Sequence, residues 1–270
     1  MPVKTDGDTR TAACFTPRTL AFLRALKRNN DREWFKANKA RYDEHVRGPM
    51  LAVIDRLARD LPQFAPDLVA SPDSLYRIYR DTRFSGDKRP LKTHVAASFF
   101  SRRLPRRAGA GLYFHIDPNA DREVWIGGGT YAPEPHELRR IREHIAARHR
   151  RFRTIVEAAA FKRRVGALDG GRLSRAPRGY PAEHPAADYL KFTQLFAGRS
   201  YEVTLATSPR FYAELIAVFR VVTPLVSFLN EALVDAYQAT LDDPLAALLG
   251  ATTARTRRSS PVHARSTRHA

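Results

Sequence analysis

The sequence predicts an α+β domain in which helices pack on one face of a mostly antiparallel sheet, with helical N- and C-terminal parts. Helical hydrophobic periodicity occupies residues 17–62, segments of strand-like composition begin near residue 71, and helical periodicity returns near residue 135. Helices followed by strands and then by helices are typical of this class. With 270 residues, 43% of them hydrophobic, the chain has enough apolar material for one core.

The N-terminal part is predicted to hold three helices. Thr16 and Pro17 supply an N-cap and a proline at the first helical position of the first helix. Asn30 and Glu33 have the spacing of a capping box for the second helix. The third helix has apolar residues at helical spacing until Pro62 ends it.

The centre of the chain is predicted to hold four strands, at residues 75–81, 93–100, 112–116 and 123–127, with a hairpin loop between the second and third. An arginine-rich helix with an interruption is expected from Pro135 to Val165, closed by Gly170 and Gly171. Residues 172–208 mix turn-forming residues with one short helical or extended piece, and no helix or strand is assigned there. A long helical pattern over 209–241 follows, with Pro224 inside it.

Charge is the strongest compositional signal, because the formal net charge is +18. We expect one domain over residues 14–245, a loose leader at 1–13 and a disordered basic tail at 246–270. Removing the five arginines of the last twenty residues leaves +13. Such a field attracts nucleic acid, acidic membrane surfaces and anionic metabolites. Because 38 of the 46 cations are arginine, which biased genome composition also produces, a solvated basic surface without a partner is equally consistent.

The compartment is predicted to be the cytoplasm. Arg220 and Pro224 interrupt the longest apolar runs, so no membrane span is expected. The first ten residues lack the apolar segment of a secretory signal. The single cysteine, Cys14, cannot form an internal disulfide.

The segment 76–94 has an unusual density of charged and aromatic residues. In an extended chain Arg77 and Asp81 would share a polar face with Arg83, and Ile78 would face the core. Arg80 would then point inward and would need a carboxylate or several carbonyls. Two interpretations stay open: the acids pair with neighbouring arginines, or the cations converge on an anion that guanidinium groups bind bidentately.

Two further patterns accompany this segment. The run Gly127-Gly128-Gly129 favours either a bulge or tight turn, or a close approach of backbone amides to an anion. His115 and Asp117 are two apart on a predicted strand, which suits a base held by a carboxylate or half of a metal site. A hydrogen-bonded histidine is the commoner outcome, so no metal is predicted, and no cofactor is assigned.

Several strings resemble one known family. RIYRDTRFSGDKRPLKTH (77–94), GLYFHIDP (111–118) and GGGTYAP (127–133), with the leading FTPRTLAFLRALKRNNDREWFKANKARYD, are similar to the bacterial and fungal family of domain of unknown function 2461. The resemblance spans roughly residues 14–240 and implies a single α+β domain. It implies no activity. This chain has Leu91 where the family usually places a tyrosine.

The sequence therefore predicts a pocket for a small anionic ligand, with phosphorylated compounds as one class. Asp81, Asp87 and His115 are the available general acids and bases. The candidate binding residues are Arg77, Arg80, Asp81, Arg83, Ser85, Asp87, Lys88, Lys92, His115, Gly127, Gly128 and Gly129.

Two alternatives stay open. One is a nucleic-acid-binding protein that lacks sequence specificity and uses the basic tail with a basic loop. The loop residues are Arg102, Arg103, Arg106 and Arg107. The other is an interaction module in which the arginines and aspartates of segment 76–94 only stabilise the fold.

Overall fold

A four-stranded antiparallel sheet forms the centre of the protein. The computed structural model describes residues 14–83, 86–105, 107–119 and 124–242, so the predicted leader and tail lie outside it. Within these ranges the strands are β1 (Val95–Phe100), β2 (Gly111–Ile116), β3 (Val124–Thr130) and β4 (Leu195–Tyr201). Their order in the sheet is their order in the chain. The predicted hairpin between the second and third candidate strands is confirmed as the antiparallel pair of β1 and β2.

Helices precede and follow the strands, so the predicted α+β class is confirmed. The N-terminal helices are α1 (Pro17–Arg28), α2 (Arg32–Ala37), α3 (Lys39–Tyr42) and α4 (Gly48–Asp60). The later helices are α5 (Pro135–Ala147), α6 (His149–Val156), α7 (Ala159–Val165), α8 (Ala187–Leu190) and α9 (Phe211–Asp242). The arginine-rich helical pattern is divided into α5, α6 and α7, and α7 ends at Gly166 with a φ of 81°.

The two faces of the sheet have different surroundings, because side chains alternate along each strand. On one face Phe99 packs against Phe219 of α9, and Phe114 packs against Phe211 of the same helix, at centroid distances of 5.8 and 5.9 Å. Gly128 lies on this face, where an added Cβ would be 3.1 Å from Val226. Helix α9 therefore covers this face, and the opposite face is available for a cleft.

The predicted strand at residues 75–81 is wrong. The segment forms only isolated bridges, Leu75 with Ala97 and Tyr79 with Leu91. Beyond Tyr76 the chain folds back on itself, because the Arg80 amide donates to the Pro90 carbonyl and the Lys92 amide donates to the Ile78 carbonyl. These two hydrogen bonds occupy backbone groups that would otherwise pair with the edge strand of the sheet, so the segment does not continue as a strand. The described residues of 76–92 are called the folded-back segment below.

The predicted start of the second helix is wrong by one residue. Asp31 is the N-cap, and its carboxylate accepts a hydrogen bond of 2.7 Å from the Trp34 amide. The Asn30 side chain instead accepts from the Leu91 amide and donates to the Leu91 carbonyl, both at 3.0 Å. Asn30 therefore ties the folded-back segment to the N-terminal helices, a long-range contact that sequence spacing does not indicate.

Helix α9 is long and apolar enough to cross a membrane by length and composition. Among the described residues it is the one helix of this kind, over Phe211–Ala239 with a mean hydropathy of 1.6. However, 56% of the most apolar window is buried inside the protein, as in the core helix of a soluble protein. It is weak evidence for a span, so the expected absence of a membrane span and the cytoplasmic location stay predictions.

Asn230 fixes the entry of β2 to α9. Its buried side chain accepts from the Ala110 amide at 2.8 Å and donates to the Ala110 carbonyl at 3.0 Å. We expect Asn230→Ala to lower the free energy of unfolding by about 2 kcal/mol, because both backbone groups lose their partner in the core. Urea unfolding measures this. Thr223→Val is the control, since that hydroxyl bonds the Phe219 carbonyl of its own helix, and an equal loss there would contradict the prediction.

Candidate functional site

A cleft of about 640 Å³ lies on the face of the sheet opposite α9. Its floor is made by outward-facing side chains of β1, β2 and β3, and its walls come from the folded-back segment, the β1–β2 loop and the residues after β3. Its volume is typical of a site for a small molecule. The polar and aromatic residues that line it include Tyr76, Lys92, His94, Arg107, Tyr113, His115, Trp125 and Phe196.

Two cations lie on one aromatic ring at the edge of the cleft. The Lys92 ammonium is 5.1 Å from the centroid of the Tyr76 ring, and the Arg107 guanidinium is 4.7 Å from the same centroid. In the described part of the chain neither cation has a carboxylate within 4.0 Å. Burial lowers the pKa of Lys92, and the charges of Arg107, Arg77 and Arg80 lower it further. Two cations thus lie at this end of the cleft, and Glu137, which also lines the cleft, accepts a hydrogen bond of 3.3 Å from the Gly109 amide.

Two histidines line the cleft next to these cations. The His94 and His115 rings are 5.9 Å apart, and the Tyr113 hydroxyl is 3.1 Å from Nδ1 of His115. Burial lowers the pKa of His94 to about 4, and the neighbouring His115 contributes in the same direction. His94 is therefore a neutral imidazole at neutral pH, which can accept a proton.

Trp125 forms the apolar part of the cleft. Its indole lies next to the backbone of Gly127 and of Gly198, which pair across β3 and β4. A Cβ at Gly127 would be 2.5 Å from Cη2 of the indole, and one at Gly198 would be 2.3 Å from Cζ2. The space above both glycines is therefore occupied by this ring.

The glycine run lies inside the central strand β3 with an uninterrupted register on both sides, so its interpretation as a bulge or tight turn is wrong. Gly127, Gly128 and Gly129 pair with β2 on one side and with β4 on the other. Because a central strand uses its amides in the two ladders, these glycines have no free row of amides for an anion. Their role in the structure is to admit Trp125 and the β4 backbone.

Four of the predicted binding residues line the cleft: Lys92, His115, Gly128 and Gly129. The arginines of the folded-back segment have local partners. Arg80 and Arg89 both pair with Asp87, and Arg83 pairs with Asp81 at 2.7 Å.

Of the other predicted residues that the structure describes, Arg77, Asp81, Asp87, Lys88 and Gly127 do not line the cleft. Lys88 donates to the Thr82 carbonyl at 3.1 Å, and Arg77 is exposed. Ser85 lies outside the described residues. The Arg83 side chain lowers the pKa of Asp81 to about 2, and Arg89 lowers the pKa of Asp87. Both carboxylates are therefore ionised ion-pair partners at neutral pH.

The binding residues predicted for the anion pocket did not include several residues that line the cleft, among them Tyr76, His94, Arg107, Trp125 and Glu137. His94 and Trp125 could have been found by alternation, since strand pairing places them next to His115 on the same face. Arg107 could not, because its place next to Tyr76 depends on the course of the β1–β2 loop. The described residues contain no group of three or more His, Cys, Asp or Glu that could hold a metal ion.

Helices on one face of an antiparallel sheet and a cleft lined by aromatic and charged side chains on the other define the protein as one of the α+β class. The chain belongs to the family described as conserved hypothetical protein (DUF2461), whose model matches residues 18–228. This match confirms the resemblance seen in the sequence motifs. No curated protein and no solved structure matches the chain.

Proposed function

We propose that the protein binds a small anionic ligand in this cleft, with phosphorylated compounds as the leading class. The observation that carries the proposal is the pair Lys92 and Arg107, which lie on one ring with no carboxylate within 4.0 Å in the described chain. Lys92 is partly buried and Arg107 is exposed, and a partly buried cation such as Lys92 is unfavourable without a counter-charge. An anion from solution would supply that counter-charge.

The site has the donors that such a ligand requires. Lysine and arginine form charge-assisted hydrogen bonds worth roughly 1.5 to 3 kcal/mol each, and the guanidinium group binds two oxygens of a phosphate at once. The aromatic side chains nearby reduce competition from water. The paired arginines Arg80 and Arg83 are not part of this proposal, because each already has a carboxylate partner, Asp87 and Asp81 respectively.

No reaction is proposed, although the cleft holds groups for proton transfer. His94 and His115 lie next to the cations, and of the general acids and bases expected from the sequence His115 alone lines the cleft. Asp81 and Asp87 lie in ion pairs of the folded-back segment. The groups of the cleft available for acid–base chemistry on a bound anion therefore include the two histidines and Glu137.

We expect Lys92→Gln to weaken the binding of inorganic pyrophosphate about 10-fold, which corresponds to about 1.4 kcal/mol. The reason is the loss of one charge-assisted contact in the cleft. Isothermal titration calorimetry measures the affinity. Lys88→Gln removes the same charge from a neighbouring exposed position and should leave the affinity unchanged. An equal loss in both variants, or no binding to the unmodified protein, would contradict the proposal.

Nucleic-acid binding is the second candidate function. The observation that favours it is the exposure of Arg102 and Arg103 on the loop next to the cleft, together with the charge of +13 outside the tail. Retardation of a single-stranded oligonucleotide in a gel, with a steep loss of binding as salt rises, would support it. No retardation at low salt would remove it.

A further inference from the structure

We propose that the ligand carries a planar aromatic ring, which stacks on Trp125, joined by a linker to the anionic group held by Lys92 and Arg107. The ligand class is a ring-bearing phosphate, such as a mononucleotide. This inference rests on the proposed anion site and adds a second contact to it.

The first step of the argument is the way in which Trp125 is supported. Gly127 and Gly198 are cross-strand partners, and a Cβ on either would lie 2.5 Å or less from an atom of the indole. Two glycines side by side weaken a sheet, because glycine loses more conformational freedom on folding than other residues. Here they let a large ring lie against the backbone.

The second step is what this support leaves accessible. Trp125 is only partly buried and lines the cleft. Its inner side lies on the two glycines, so a ligand in the cleft meets the outer side. Tyr113 and Phe196 flank the indole at centroid distances of 5.8 and 6.1 Å, both strongly inclined to it. The His115 ring lies nearly parallel to the indole, with centroids 6.4 Å apart and an interplanar angle of 16°. The indole is thus part of a cluster of aromatic rings, an arrangement suited to a planar group.

The third step connects this surface to the cations. Tyr113 contacts Trp125 on one side and Tyr76 on the other, with ring centroids 5.8 and 6.2 Å apart. The Lys92 ammonium follows at 5.1 Å from Tyr76. The ring surface and the cations thus lie in one cleft, whose volume of about 640 Å³ accommodates a molecule that carries both a ring and an anionic group.

Stacking of a base on an aromatic side chain contributes enough affinity to be measured. The chain has two tryptophans, and Trp34 lies on α2 next to Phe22. In the Trp34→Phe protein the fluorescence therefore reports on Trp125 alone. Three probes are used: AMP carries both the ring and the anionic group, adenosine carries the ring alone, and ribose 5-phosphate carries the anionic group alone.

We expect AMP to quench the Trp125 emission and to bind at least 10-fold more tightly than adenosine or ribose 5-phosphate. Trp125→Leu should reduce the affinity for AMP to that for ribose 5-phosphate and leave the latter unchanged. Quenching in the Trp34→Phe protein needs no substitution in the cleft, so the test holds even if Trp125→Leu does not fold.

The outcomes separate this inference from the anion site. If AMP binds no more tightly than ribose 5-phosphate and does not quench, the ring contact is overturned and the anion site stands. If adenosine binds as tightly as AMP, the anion site is overturned. Absence of binding by AMP, ribose 5-phosphate and pyrophosphate overturns both.

Discussion

Gly129→Ala is expected to lower the free energy of unfolding by at least about 3 kcal/mol, through backbone strain and overpacking together. Gly129 has a φ of 137°, a conformation that residues with a side chain rarely adopt. An added Cβ would be 2.2 Å from the Leu195 carbonyl oxygen and 2.4 Å from Cα of Phe196. Both atoms belong to the backbone of β4, so no side-chain rotation relieves the contact.

Urea unfolding followed by circular dichroism measures this loss. Gly86→Ala is the matched control, because among the described residues its Cβ would have no atom within 4 Å. That variant should stay within about 0.5 kcal/mol of the unmodified protein. Equal stability of the two variants would mean that β3 and β4 are not paired as described.

The Gly129 result also separates the two sequence interpretations of the glycine run. If these glycines served mainly to present amides to an anion, alanine would reduce ligand affinity and leave the stability of the empty protein nearly unchanged. The pairing of β3 with both neighbours leads to the opposite expectation. The loss of stability should be present without any ligand.

Local sequence patterns were sufficient to predict the start of α1 and the end of α4, which are set by residues next to the helix termini. Thr16 and Pro17 start α1 as predicted, and Pro62 follows α4 within one turn. Pattern alone failed at β4, where residues 172–208 contain many turn formers and the strand exists because β3 pairs with it. It also failed at residues 75–81, where strand-like composition forms a segment that bonds to itself.

The site shows the same division between local and distant contacts. Arg83 and Asp81 are two residues apart, so their ion pair follows from sequence proximity, as one interpretation of the segment stated. Lys92 and Arg107 meet on Tyr76 only because the chain passes through β1 and its loop between them. The density of cations therefore indicated the correct region, while the cations that line the cleft depend on the tertiary fold.

His94 should make the protein less stable as the pH falls from 6.5 to 4. Its pKa is lowered from 6.5 to about 4 by burial and by its cationic neighbours. Between these values the unfolded chain binds a proton that the folded protein does not. The contribution of neutral His94 to the free energy of unfolding is therefore fully present above pH 6.5. It is lost as the pH falls through this window, by about 3 kcal/mol in all.

The groups around His94 determine how the effect is isolated. His115, Lys92 and Arg80 oppose its protonation, and Asp117 favours it. His144 on α5 also has a lowered pKa, caused first by burial, so it contributes to the same slope. The difference between the unmodified protein and His94→Gln removes that common contribution.

Urea unfolding at several pH values between 7.5 and 4.5, in buffers without phosphate, provides the measurement. His94→Gln should lose less stability than the unmodified protein over this range, while His136→Gln, at an exposed position, should follow the unmodified protein. Parallel curves for all three proteins would show that His94 is not held neutral in the cleft. Because a bound anion favours the imidazolium form, added pyrophosphate should reduce the loss in the unmodified protein more than in His94→Gln.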